Sequence, residues 1–395
     1  MSEIRYADAR YTGQSGPIFG LSLKVAVLTL LTLGIYRFWG KSRIRRYVWS
    51  SAELDGDRFE YTGTGLEKFL GFLMAVVFLA VYLGVVQIGL TFIGLTLLGE
   101  PETDAGMAAQ ALAFNLTFLS LVPFLLFALY RARRYKLART RWRGIRFGMD
   151  KGAWGYAFRA IGHYILTILT LGILLPRQSF HLEKYMTDRM WFGDTRFEQG
   201  GRWQDLYAPM KHVFIGLAVI LLGLAAGIAL DMGLLLVALP VIGLLWLTIG
   251  VIHYRVQSFA YLTSHKTLGG QIAFDARPQT STVIMTYVVG GIVIGLAVAI
   301  IGGLLGAVFL TTVEGIATAM PPVGVMILLI LGYVAMILGA GAATTALIVQ
   351  PIVAHYVDTF TAINIDAANA IRQRVADRGA DAEGFADALD IGGAI

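Results

Sequence analysis

Three long stretches of this chain, residues 69–130, 212–254 and 278–371, contain no lysine or arginine. Each holds two apolar runs of about 20 residues, the length an α-helix needs to cross a hydrocarbon core of about 30 Å. Charge segregated in this way points to folding in a bilayer, where a lysine or arginine at the centre of a spanning helix costs about 2.5–3.5 kcal/mol. With 56% hydrophobic and 15% charged residues in 395, the chain reads as a polytopic α-helical membrane protein. Its net charge of +6 would suggest nucleic acid in a soluble protein. Here the basic residues flank apolar segments, where anionic lipid and the positive-inside bias account for them, so no nucleic-acid partner is expected. The absence of cysteine excludes disulfides, thiolate chemistry and cysteine metal sites. The first sixteen residues mix Glu3, Arg5, Asp8 and Arg10 without a basic leader, so the first apolar segment is expected to remain in the mature protein.

The whole chain, 1–395, reads as one integral-membrane domain made of successive units. These are a first unit at 18–63, a pair of spans with its basic segment at 69–147, and a second single segment with its polar sequel at 157–198. A second pair follows at 213–274, a third at 283–374, and an acidic tail at 375–395. Six full spans fall near 69–98, 107–130, 213–230, 233–254, 283–310 and 323–348. Two single apolar segments, 18–36 and 157–175, are short. Gly223/Gly227, Gly291/Gly295 and Gly302/Gly306 have the G-x-x-x-G spacing that permits close helix packing, within one chain or between chains.

Internal similarity ties these units together. Thr29-Leu-Leu-Thr32-Leu-Gly34-Ile matches Thr167-Ile-Leu-Thr170-Leu-Gly172-Ile at the ends of the two single segments, and Tyr61-Thr62-Gly63 echoes Tyr11-Thr12-Gly13. A glycine followed three or four residues later by phenylalanine recurs at Gly56/Phe59, Gly144/Phe147, Gly193/Phe197 and Gly270/Phe274. That pattern reads as a turn entering a short strand, and four or five such strands on one side of the membrane are expected to pair. Gly34, Tyr36, Trp39, Gly56, Phe59, Tyr61, Gly63, Gly172 and Phe197 are the structural positions of the motif.

The positive-inside rule puts the basic segments and the tail in the cytoplasm and the acidic connections, with Glu100, Glu102, Asp104, Asp231 and Glu314, outside. The single segments then have cytoplasm-like sequence at both ends. The preferred reading makes both re-entrant, giving six full spans and two re-entrant elements with small cytoplasmic strands; eight full spans is the alternative.

Gly34, Gly40, Lys41 and Ser42 superficially suggest a phosphate-binding loop. Five residues separate the glycines where four are needed, and Tyr36, Phe38 and Trp39 stand where backbone amides must cradle phosphate, so that reading is rejected. The same residues suit a membrane interface. The aromatic rings anchor, and Arg37, Lys41, Arg43, Arg45, Arg46, Arg131, Arg133 and Arg134 form a candidate surface for lipid phosphate or another anion. The alternative is that they only set topology and depth. The six histidines form no metal-ligand spacing and no carboxylate pair lies in a span, so no metal, cofactor or enzymatic activity is expected. Lys24, Thr29, Thr32, His163, Thr167 and Thr170 are the polar groups of the single segments and mark a candidate pathway.

The run T-L-G-I-Y-R-F-W-G-K-S-R-I-R-R-Y with L-D-G-D-R-F-E-Y-T-G, and the ending G-F-A-D-A-L-D, resemble the YjgN-like family of bacterial inner-membrane proteins, defined by a domain of unknown function. The resemblance covers nearly the whole chain and implies an inner-membrane location. It carries over no activity, substrate or catalytic residue. Two functions stay open: a transporter- or channel-like protein for a small solute or lipid, or a non-enzymatic organiser that binds anionic lipid or a partner protein through its basic cytoplasmic layer. Self-association is open as well. The acidic tail, with Asp381, Glu383, Asp387 and Asp390, is expected to dock on the basic run 131–146.

Overall fold

The computed structural model describes residues 4–97, 101, 103–314 and 322–374. The chain divides into two compact units, one of residues 1–59 with 200–369 and one of 60–199 with 370–395. Among the described residues, six helices are long and apolar enough to cross a membrane. They are α3 (Gly65–Phe92), α4 (Asp104–Ala138), α7 (Tyr207–Ala229), α8 (Gly233–Ser264), α9 (Thr280–Glu314) and α10 (Val323–Thr344). α10 continues through a π-turn, Thr345–Val349, into α11 (Gln350–Asp358). Pro351 has no N–H to close an α-helical bond, and the chain widens there so that Gln350 N–H reaches Thr345 O. Local signals set the helix starts. Thr64 accepts from Glu67 N–H at 3.3 Å and Thr103 from Gly106 N–H at 3.1 Å, with Glu67 and Asp104 favourably placed in the first turns.

The single segments are helices of 17 residues, α1 (Ser15–Leu31) and α5 (Ala153–Leu169), each about 25 Å long. They are followed by α2 (Arg37–Ser51) and α6 (Leu175–Thr187).

Ten strands occur among the described residues, where four or five were expected. Each glycine of the Gly/Phe motif marks a hairpin, so it contributes two strands. The hairpins are β2–β3 (Ala52–Leu54, Asp57–Tyr61), β4–β5 (Thr140–Trp142, Ile145–Met149), β6–β7 (Met190–Phe192, Thr195–Gln199) and β8–β9 (Lys266–Leu268, Ile272–Ala276). The turn residues Asp55, Gly56, Arg143 and Gly144 have φ between 51° and 80°, the left-handed pair that matches the twist of two-residue hairpins. With β1 (Tyr6–Tyr11) and β10 (Phe360–Ile363), the first unit forms an antiparallel sheet in the order β3–β2–β1–β10–β9–β8. The second unit pairs β4–β5–β6–β7, also antiparallel.

Five helix pairs rise from these strands, and the feet of each pair are tied by one backbone hydrogen bond of the same form. The N–H after one strand donates to the carbonyl just before the strand that follows the pair. The bonds are Thr12 to Ser51 (2.7 Å), Thr62 to Arg139 (2.8 Å), Asp150 to Arg189 (2.9 Å), Gly200 to His265 (2.8 Å) and Arg277 to Thr359 (3.0 Å). The two Tyr-Thr-Gly echoes lie at the first two. Thr12 and Thr62 also donate their hydroxyls to the same carbonyls. The side chains of Tyr11 and Tyr61 fold back over Gly13 and Gly63, where a Cβ would sit 2.6 Å from Tyr11 Cε1 and from Tyr61 Oη.

The G-x-x-x-G pairs do unequal work. A Cβ on Gly216 or Gly227 would lie 2.7 Å from the backbone of Leu247 or Leu236, and one on Gly223 2.5 Å from Leu239 Cβ, so α7 and α8 pack backbone to backbone. Gly291, Gly295 and Gly306 meet nothing within 4 Å, and Gly302 only Met336 Sδ at 3.6 Å. G223L or G227V is therefore expected to destabilise the protein by about 1–3 kcal/mol. G291A with G295A is expected to be neutral within about 0.5 kcal/mol, and thermal melts of the detergent-solubilised protein check both.

Candidate functional site

The two short helix pairs are antiparallel hairpins, which revises the expectation that the basic segments lie beyond the apolar ones at the interface. In the first, Gln14 N–H donates to Tyr47 Oη at 2.8 Å and the Tyr47 hydroxyl donates to Gln14 O at 3.0 Å, joining the start of α1 to the end of α2. Further up, Gly40 lies against Val25 with no room for a Cβ. The basic helix α2 is the return leg of the hairpin. In the second hairpin Tyr185 of α6 donates to Gly152 O at the foot of α5 at 3.0 Å, and the rings of His163 and His181 stack at 5.4 Å midway.

The matched heptapeptides are the hairpin turns, and their residues explain the match. Gly34 N–H reaches Thr29 O at 2.7 Å and Leu33 N–H reaches Leu30 O at 3.1 Å; Gly172 to Thr167 (2.7 Å) and Leu171 to Ile168 (3.0 Å) repeat the pair. This is the helix-ending motif that satisfies the last free carbonyls with a left-handed residue. Leu33 and Leu171 both have φ of 50°, and Gly34 and Gly172 have φ of 93° and 88°. Thr32 and Thr170 hydroxyls bond back to Leu28 O and Leu166 O and accept the N–H of Tyr36 and Leu174, which starts the return helix. Thr29 and Thr167 hydroxyls are shielded from solvent and without a hydrogen-bond partner. The tips point apolar side chains outward: Leu33 is 94% and Leu171 87% exposed. A leucine accepts the left-handed conformation at a cost of about 1–2 kcal/mol.

The candidate anion-binding residues divide by burial. Arg37, Arg43 and Arg46 are exposed on α2, while Lys41 and Trp39 are half-buried. Arg43 and Arg46 lie within about two turns of the foot, and the Arg43 guanidinium sits 5.6 Å from the Tyr36 ring. Arg45 is fully buried. Arg134 is buried and Arg133 half-buried, and both have partners within the fold. Arg133 makes a bidentate pair with Glu183 at 2.6 and 2.8 Å, tying α4 to α6, and Arg134 donates to Met149 O at 3.0 Å. Arg139 and Tyr135 share Glu67, at 3.0 and 2.8 Å. Arg131 lies over Phe127 at 5.8 Å. Arg133, Arg134 and Arg139 of the basic run thus serve as internal cross-links, and the docking expected of the tail lies outside the described residues.

Lys24 is exposed on α1. Gly56 turns the first hairpin, Phe59 faces an apolar cavity, and Phe197 is buried with its ring 6.3 Å from that of Phe147. Among the described residues no group of three or more histidine or acidic side chains is placed to hold a metal.

No solved structure matches the chain. The inner membrane protein YjgN of Salmonella typhimurium is 26% identical over 175 residues, 41% of this chain and 39% of that protein. The protein of the same name from Escherichia coli O157:H7 is 30% identical over 136 residues, 33% of this chain and 29% of that protein. The chain thus spans well under half the length of these curated relatives. A family model described as a bacterial protein of unknown function (DUF898) matches residues 7–288. With most of its length matched, and with relatives that carry the YjgN name, the chain belongs to this DUF898, or YjgN-like, family of bacterial proteins.

Proposed function

We propose that the protein is a non-enzymatic, multi-pass organiser of the bacterial inner membrane that grips anionic lipid with the α1–α2 hairpin. The observation that carries this reading is the pairing, in one hairpin, of an outward apolar tip at Leu31, Leu33 and Ile35 with exposed Arg43, midway along α2, and Arg46, nearer its foot. Apolar side chains at a tip gain from hydrocarbon, and long arginine side chains extend along a helix to phosphate.

The tied feet support a topology in which every helix pair leaves and re-enters the same side. Three pairs span, the two short hairpins dip into the bilayer, and the strands and basic segments lie in the cytoplasm. The five ties of one form support descent from a single helix-pair unit. The relatives' names support the inner membrane as the location. A transport pathway along the hairpin threonines has less support, because Thr32 and Thr170 spend their hydroxyls on the turns.

Lipid co-purification and native mass spectrometry test the function. The wild type is expected to retain phosphatidylglycerol or cardiolipin over phosphatidylethanolamine. R43Q/R46Q is expected to weaken that retention about 30-fold, from about 1 kcal/mol per arginine. Unchanged selectivity in the folded variant overturns the proposal. Topology is tested by introducing single cysteines into this cysteine-free chain. L33C and L171C are expected to resist a water-soluble maleimide in membranes, and S50C, at an exposed position near the foot of α2, to react only from the cytoplasmic side once the membrane is opened. Labelling of S50C from outside intact cells rules the arrangement out.

A further inference from the structure

In the first unit a cavity of about 420 Å³ lies between one face of the sheet and the ends of α8 and α11. Ala9, Ala52, Leu54 and Phe59 line it from the strands, and Phe259 with Ile352, Val353 and Val357 from the helices. Its lining includes no charged residue and a single hydroxyl, that of Tyr356. The rings of Phe259 and Tyr356 meet edge-on at 4.7 Å and brace the two helices beside it.

Strand alternation makes this face apolar. Along β1, Ala7 and Ala9 are buried, whereas Asp8 and Arg10 are exposed on the other face. Arg10 stands opposite Glu53 in the ladder, and Glu53 approaches Arg58 at 4.0 Å, so the far face is charged. The cavity side is the side from which two membrane-length helices, Gly233–Ser264 and Val323–Asp358, arrive. A pocket of this lining favours apolar molecules over polar solutes. Its volume falls in the range of ligand sites, about 300–1,000 Å³.

We infer that this cavity is an acyl-chain pocket that seats one hydrocarbon chain of a bilayer phospholipid. The occupant is set by the apolar lining and by the two membrane-length helices, Gly233–Ser264 and Val323–Asp358, that supply its helical wall. The inference rests on the reading of the protein as lipid-binding. It goes beyond that reading in assigning the chain, and not the headgroup, to a built site that neither Arg43 nor Arg46 lines.

The test uses the full-length protein in nanodiscs containing a phospholipid with a diazirine near the end of one acyl chain, with labelled peptides mapped by mass spectrometry. Labelling is expected at Phe259, Ile352, Val353 and Val357 at least fivefold above the outward residues Leu296 and Ile300 of α9. V353W and, independently, A52F fill the cavity and should each reduce that labelling about tenfold while leaving α9 labelling unchanged. R43Q/R46Q should keep it. Loss of headgroup selectivity in R43Q/R46Q with pocket labelling intact leaves both readings standing. Pocket labelling in a wild type that shows no preference for anionic lipid supports the pocket and defeats the headgroup reading. Pocket labelling no greater than on α9 in the wild type overturns the inference whether or not the variants fold. So does labelling by a free diazirine fatty acid but not by the phospholipid.

Discussion

The structure depends on the requirement that backbone amides at the edge of a membrane helix pair find partners. A helix leaving a strand carries free N–H groups at its start, and the returning helix carries free carbonyls at its end. This chain meets both needs at once, because the amide before the outgoing helix bonds the carbonyl after the incoming one. The five bonds, from 2.7 to 3.0 Å, close each helix pair at its foot. They leave the helices above free to differ in length from 13 to 35 residues. The long helices have the length and composition to cross a membrane, and the strands below long and short pairs see the same junction.

The short pairs show how a polar helix is accommodated on such a scaffold. The return leg α2 buries Phe38, Ser42, Arg45 and Val48 along one face and exposes Arg43 and Arg46. That face is mixed in character, with a serine and an arginine between two apolar residues. In the second unit the basic end of α4 is drawn inward by Glu67 and Glu183. Some arginines thus stitch helices together, and others, Arg43 and Arg46 among them, stay exposed. The cavity under β1 adds an apolar counterpart, built by alternation along a strand whose other face is charged.

How much of this was legible follows from the range of each interaction. The spans were readable because length and charge exclusion are properties of consecutive residues. The turns were readable in part: glycine with a following phenylalanine marked each hairpin, and the Thr-Leu-Leu-Thr-Leu-Gly-Ile match marked the helix ends. What the turn would do was not readable, because Leu33 and Leu171 adopt a left-handed conformation that leucine seldom takes. The strand count was half the true one, since the first strand of each hairpin is three residues long and too short to show alternation.

By itself the sequence determined a helical membrane protein with six long apolar segments, two short ones and turn residues at their ends. Only the tertiary structure decided that α2 folds back along α1, that Arg45 and Arg134 are interior, and that Phe59 faces a cavity with Phe259 and Val357. The reason is physical. Apolar length and left-handed glycines act within one turn of the chain. The ties at the feet join residues 39 to 82 positions apart, and the Arg133–Glu183 pair joins residues 50 apart. A basic helix has the same local pattern whether it lies on a membrane or packs into a hairpin, and those distant bonds select between the two.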